Sequence, residues 1–132
     1  MSFLLDTDTC SAYIKGDRRV LNRFVQHSGG LHVPTVTVAE LYVWARRRRA
    51  AARRLQEVQD LLRQTVVFDV TLPVAEKYGE VQAGLMDAGT PAPQMDLLIA
   101  VTALVHGLTL VTHNTRHYTN VPGLSLADWL TP

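Results

Sequence analysis

Four short apolar runs separated by helix-patterned segments restrict the fold of this chain more than any other feature. Phe3-Leu4-Leu5 reads as a buried strand, Leu31-His32-Val33 as a short strand ended by Pro34, residues 65–70 as a β-branched-rich strand and Leu108–Val111 as a strand, and Leu124-Ser125-Leu126 reads as a short last one. Between them, apolar residues recur at helical spacing. Val20 pairs with Phe24 and Leu21 with Val25, while Ala51, Leu55, Val58 and Leu62 form a stripe. Helices are expected from a cap at Asp8 or Thr9 to Ile14, over 18–27, over about 36–64 with a break near Arg48–Ala50, from Pro73 to Asp87, and from Asp96 to Val105. Gly107 suits the position just past the last of these. Strands alternating with helices indicate an α/β sandwich with a mostly parallel sheet. The 132 residues suit one domain over 1–132 with a real core.

Composition excludes several classes. With 47% hydrophobic and 19% charged residues the chain is an ordinary globule rather than a disordered one. The single cysteine, Cys10, excludes an intramolecular disulfide and a cysteine-only zinc site. The N-terminus lacks a basic segment, and its apolar run is too short for a signal peptide. The longest apolar stretch, near 97–105, is short of a membrane span and is interrupted by Thr102. A cytoplasmic protein is expected. Net charge is only +1, but six of the 11 arginines fall within residues 46–54.

Chemistry is sought where polar residues meet strand ends. Asp6 closes the first strand, and ligands bind at the C-terminal ends of strands in open α/β sheets. Thr112 and Asn114 close the Leu108–Val111 strand and should share that edge. Glu40 lies among apolar residues in a helix, and Asp96 opens an apolar helix after a Pro-rich loop. That crossover helix is expected to start at the opposite edge unless the loop before it returns across the top. Each residue also has a structural reading: Asp8 as a helix cap, Thr37-Val38-Ala39-Glu40 as a capping box, Asp96 as a complement to the helix dipole, Asn114 as a turn residue. If the acids converge, they repel one another and need a hard cation, and an oxygen-only donor set suits Mg²⁺ or Mn²⁺.

The order of these motifs resembles the PIN-domain family and, within it, the VapC-type toxins of bacterial toxin–antitoxin pairs. The resemblance is carried by Leu4-Leu5-Asp6-Thr7-Asp8, Thr37-Val38-Ala39-Glu40-Leu41, Asp96-Leu97-Leu98-Ile99-Ala100 and Leu110-Val111-Thr112-His113-Asn114, with Val121-Pro122-Gly123-Leu124 and Asp128-Trp129 in the tail. It implies a three-layer α/β/α sandwich and a metal-dependent endoribonuclease acting on RNA such as tRNA or rRNA. Such enzymes are usually homodimeric and are inhibited by a cognate antitoxin. Asp6, Glu40 and Asp96 fall on the family's principal metal-site acids, Thr112 on its small hydroxyl residue, and Asn114 on a fourth acidic position, here one charge short. The alternatives are a housekeeping nuclease in RNA processing and an inactive module that binds RNA or protein. Arg46, Arg49 and Arg53, at i, i+3 and i+7, read as a solvated helix face, a track for RNA phosphate or a contact for an acidic antitoxin. Tyr42 and Trp44 are expected in the core or a dimer interface rather than as base-stacking platforms, and His113 and His117 in a loop role.

Overall fold

A computed structural model of the chain describes residues 1–47 and 51–131. The strands are β1 (Phe3–Leu5), β2 (Leu31–Pro34), β3 (Val66–Phe68), β4 (Thr109–Val111) and β5 (Leu126–Ala127). The helices are α1 (Thr7–Ile14), α2 (Arg18–Gln26), α3 (Thr35–Arg46), α4 (Ala51–Arg63), α5 (Leu72–Asp87) and α6 (Gln94–His106), with a 3-10 turn at Thr115–Tyr118. The sheet runs β3-β2-β1-β4-β5, and every pairing is parallel. The expected three-layer α/β/α sandwich is what the chain forms.

Successive strand residues point to opposite faces, so the central strands β1 and β4 feed two cores, whereas Val66 and Val67 of the edge strand β3 are exposed. Phe3, Leu5, Leu31, Val33 and Val111 pack under α1 to α4 together with Val20, Leu41, Val58 and Trp129. Leu4 and Leu110 turn to the other face, against Val74 of α5 and Leu97, Ile99 and Val101 of α6. Burial on both faces explains why these strands read as unbroken apolar runs rather than alternating ones. Gly30 lets β1 and β2 start side by side: a Cβ there would lie 2.5 Å from the Met1 carbonyl oxygen, while the Gly30 carbonyl takes the Phe3 N–H at 2.8 Å.

Several boundaries differ from expectation. The cap of α1 is Asp6, whose Oδ1 accepts the Thr9 N–H at 2.9 Å, not Asp8 or Thr9. The residue that follows β1 is therefore also the cap of α1. The capping box at Thr37–Glu40 does not form, because α3 starts at Thr35 after Pro34 and Glu40 bonds elsewhere. The expected 36–64 region is two helices packed on each other; the break expected near Arg48–Ala50 lies outside the described residues. Arg47, just past α3, has extended backbone (φ −85°, ψ 134°), and Arg54 of α4 donates to the Trp44 and Arg47 carbonyls at 3.4 and 3.0 Å. Unsatisfied carbonyls at a helix end are thus met by a cation, which also suits the helix dipole. β5 lies at 126–127, two residues beyond the expected start.

Asp96 is the main topological correction. A crossover helix runs antiparallel to the strand it feeds, so α6 begins at the C-terminal edge of the sheet. It ends through Gly107, in the left-handed region (φ 65°), directly before β4. The loop that delivers it is clamped by buried Gln82, which donates to the Ala92 carbonyl at 2.8 Å and accepts the Ala92 N–H at 3.0 Å.

Leu4 is fully buried at the centre of the sheet. Leu4→Ala should lower unfolding free energy by about 3 kcal/mol, the usual cost of a cavity at a closed site, as measured by urea denaturation.

Candidate active site at the C-terminal edge of the sheet

β1 and β4 pair in register, Leu5 beside Val111, and the Asp6 N–H continues the ladder to the Val111 carbonyl at 3.1 Å. The residues after both strands are therefore neighbours. Asp6, Thr7, Asp8, Glu40, Asp96, Ile99, Asn114 and Tyr118 line one cleft there. Four of the sequence-predicted residues, Asp6, Glu40, Asp96 and Asn114, are brought together in it. Thr112 is fully buried beneath it, its hydroxyl accepting the Asn114 N–H at 3.0 Å. The cleft measures about 110 Å³, well under the roughly 300–1,000 Å³ of a small-molecule site. It suits ions, water and a phosphate group, not a base.

Neutral groups hold the acids in place. The Thr7 hydroxyl lies 2.5 Å from Glu40 Oε1 and 3.3 Å from the Thr37 hydroxyl, tying α1 to α3. The Asn114 carboxamide donates to Asp8 Oδ2 at 2.9 Å, tying α1 to the loop after β4. On the outer side, His117 Nδ1 lies 3.6 Å from Asp96 Oδ2, whereas His113 is turned away to Asp128 at 3.0 Å. None of the side chains lining the cleft is basic. The carboxylates also stay apart: among the described residues, no three His, Cys, Asp or Glu side chains form a ready-made cluster. Mutual repulsion favours that separation.

Thr7, Asp8 and Tyr118 were not among the predicted site residues. Asp8 stands beside Asp6 in the sequence but was assigned to a cap. Thr7 meets Glu40 across 33 positions, and no local pattern announces such a contact. Tyr118 is buried, and its hydroxyl is held well above its usual pKa by desolvation and then by the charges of Asp96, Asp6, Asp8 and Glu40.

The arginine track is rearranged. Arg46 ends α3 and Arg53 lies in α4, so they do not share one helix face; Arg49 lies outside the described residues. Arg53 is paired with Glu57 at 3.5 Å. Tyr42 and Trp44 are half-buried against the core beneath α3, as expected.

Residues 3–123 match the PIN domain family. The chain is 32% identical to the tRNA(fMet)-specific endonuclease VapC of Salmonella typhimurium, over 98% of each chain. It is also 32% identical to Ribonuclease VapC2 of Haemophilus influenzae, over 98% of this chain and 99% of the relative. Among solved structures, DNA-bound VapBC from Salmonella typhimurium superposes with a TM-score of 0.93 at 32% identity, covering 98% of both chains. VapBC2 from Rickettsia felis, at 24% identity, shares the fold with a TM-score of 0.91 over 98% of this chain and 99% of that one.

Asp6 carries the largest electrostatic cost. Burial raises its pKa above the ordinary 3.8, and Asp8 adds to this; hydrogen bonds from the Thr112 hydroxyl and from Thr9 offset only part. Between 3.8 and the raised value the folded protein keeps a proton that the unfolded chain has lost. Stability therefore falls as pH rises through that window, and the full penalty is present above it. Asn is isosteric and caps helices equally well. In metal-free buffer, Asp6→Asn should have a higher Tm than the parent at pH 7, and the gain should vanish below pH about 4. Thermal melts across pH check this; an unchanged difference from pH 7 to 3.5 would contradict it.

Proposed function

The chain belongs to the PIN-domain family, and from that premise we propose that it is the toxin of a toxin–antitoxin pair, an endoribonuclease that cleaves RNA phosphodiester bonds with a divalent cation and is inhibited by a cognate antitoxin. One observation carries the reading: Asp6, Asp8, Glu40 and Asp96 line a single small cleft with no basic side chain among them. Its support from relatives is the 32% identity, over nearly the whole chain, to proteins named as VapC endonucleases. The solved neighbours named VapBC complexes favour an antitoxin partner. RNA is the proposed substrate, and tRNA is the first to test.

The donor set fits a hard divalent ion. All available ligands are oxygens, which suits Mg²⁺ or Mn²⁺. Asp6 is a desolvated carboxylate whose hydrogen bonds leave its burial uncompensated. Asp6 and Asp96 are assigned to hold the ion, directly or through water, and Glu40 to hold it or to orient the attacking water. Bound there, the ion supplies activation of water and stabilisation of charge at the scissile phosphate. The protein's own part is positioning. Thr7 fixes one oxygen of Glu40, so the carboxylate can turn only about that anchor. Thr112 orients Asp6 from below and Asn114 from the side. Asn114, committed through Nδ2 to Asp8, keeps its carbonyl oxygen as an acceptor for water or ligand. A homodimer and a cytoplasmic location belong to the same proposal. Among the described residues, no helix is long and apolar enough to cross a membrane.

Asp6→Asn and Asp96→Asn should abolish cleavage of a tRNA pool while leaving the far-ultraviolet circular dichroism unchanged. Glu40→Gln should lower kcat about 10²–10⁴-fold, the usual range for a positioned acid–base group. Chelator should stop cleavage by the parent, and Mg²⁺ or Mn²⁺ should restore it. Full activity in both aspartate variants, or cleavage that continues in chelator, would sink the assignment. Growth arrest on expression, relieved by co-expression of a cognate antitoxin, tests the toxin reading.

A further inference from the structure

A second pocket adjoins the acid cleft and shares Glu40 with it. Val43, Trp44, Arg47 and Arg54 complete its lining, and its volume is about 310 Å³, at the lower end of the range for a small-molecule site. We propose that this pocket is the nucleotide subsite next to the scissile phosphate, with Trp44 as the base platform and Arg47 and Arg54 as the phosphate contacts. The inference rests on the nuclease reading and adds where the RNA leaves the cleft.

Charge is the first argument. A polyanion crossing four carboxylates needs cations beside them that are not already committed to a carboxylate. Arg19, Arg53 and Arg63 pair with Asp17, Glu57 and Asp60. Among the described residues, Arg47 and Arg54 are in no ion pair. Both line the pocket that touches Glu40.

Geometry is the second. Arg54 is held rather than loose. Its Nη1 donates to two carbonyls, and its guanidinium lies 5.1 Å from the centre of the Trp44 ring. A guanidinium has five N–H donors in a fixed fork, so anchoring one nitrogen leaves others for phosphate at little further entropy cost. The half-buried indole is fixed by the core beneath it. Unpaired RNA bases are commonly held by stacking on aromatic rings or guanidinium planes, and this pocket offers both in one stack, with the Arg54 guanidinium over the Trp44 ring. Size is the third argument. The acid cleft cannot take a base, so the adjoining nucleoside must lie outside it; this pocket shares Glu40 with the cleft, while the pocket of about 390 Å³ on the other side, which shares Asn114 and holds Arg116, has no Trp, Tyr or Phe in its lining.

The test uses the full chain carrying Asp96→Asn, to prevent cleavage, and a fluorescein-labelled single-stranded RNA of mixed sequence, about 12 nucleotides long. Arg47→Gln and Arg54→Gln should each raise Kd about tenfold near 0.1 M salt and reduce the slope of log K against log salt by about 0.7. Arg63→Gln should match the parent. Trp44→Phe should weaken binding a few-fold and abolish the quenching of indole emission that RNA causes. In the cleavage-competent chain, Arg47→Gln should raise KM with kcat nearly unchanged. Arg54 also caps α3, so Arg47→Gln guards against a folding artefact. Parental Kd and slope in both arginine variants would overturn the subsite. Parental RNA binding together with weakened antitoxin binding would overturn it too, and would identify a protein-docking surface. A parent that neither binds nor cleaves RNA would instead remove the nuclease reading beneath it.

Discussion

Everything at the candidate site depends on β1 and β4 lying side by side and parallel. The chain lays down β1, then works outward through β2 and β3, and must return across the sheet to place β4 on the free side of β1. That reversal is a topological switch point, where the loops leaving adjacent strands part in opposite directions and open a crevice. The hydrogen bond from the Asp6 N–H to the Val111 carbonyl is the last rung before they part. Just past each strand the chain reaches the crevice: Asp6, Thr7 and Asp8 line it on one side and Asn114 on the other, with Thr112 buried beneath. A slip of one residue in the pairing would turn Leu5 to the wrong core, so the hydrophobic pattern of the strands also fixes the register of the acids.

The same crevice is held by hydroxyl and amide groups rather than by cations. Thr7, Thr9 and Thr112 steer carboxylates without neutralising them. A lysine or arginine in their place would stabilise the fold by lifting the cost of burying Asp6, and would fill the position where positive charge from outside can act. The fold tolerates this because its two cores carry the stability. The penalty falls on a few groups at one edge, while β1 and α6 beneath them are packed on residues that are wholly enclosed. Local strain of this kind at an otherwise consistent structure is the pattern expected of a functional site.

Much of this was legible from the chain. Both-face burial leaves strands as plain apolar runs, so β1, β2 and β4 stood out, and Pro73 and Gly107 marked the edges of α5 and α6 because their backbone constraints are local. Asp6, Thr112 and Asn114 were placed at one edge by the same reasoning. Contacts closed over long separations were not legible. Thr7 to Glu40, Asn114 to Asp8 and Gln82 to the Asp96 loop depend on how helices pack, and nothing within a few residues encodes them. The capping-box pattern at Thr37–Glu40 was misleading for a physical reason. Pro34 lets α3 start earlier, so Glu40 is already a turn inside the helix and is free to face α1. The arginine run was misread through helix continuity: once α3 ends, i+7 spacing no longer means one face.

Asn114 can now be weighed differently. Set against a pattern with a fourth acid, an amide at this position makes the site look one carboxylate short. The structure returns that carboxylate from the first turn of α1, since Asp8 lines the same cleft and takes the Asn114 amide at 2.9 Å. An aspartate at position 114 would put two negative charges at that distance, and one would have to withdraw or hold a proton. With asparagine the pair is attractive, Asp8 is held at the cleft, and the number of acids there remains four. Amide and acid have in effect exchanged sides. In the proposed mechanism this favours one firmly held ion near Asp6 and Asp96, because a carboxylate that accepts a hydrogen bond from Asn114 is a weaker donor to a second ion than a free one. The departure at 114 and the presence of Asp8 are therefore one feature of the sequence, and substituting either alone would disturb the other.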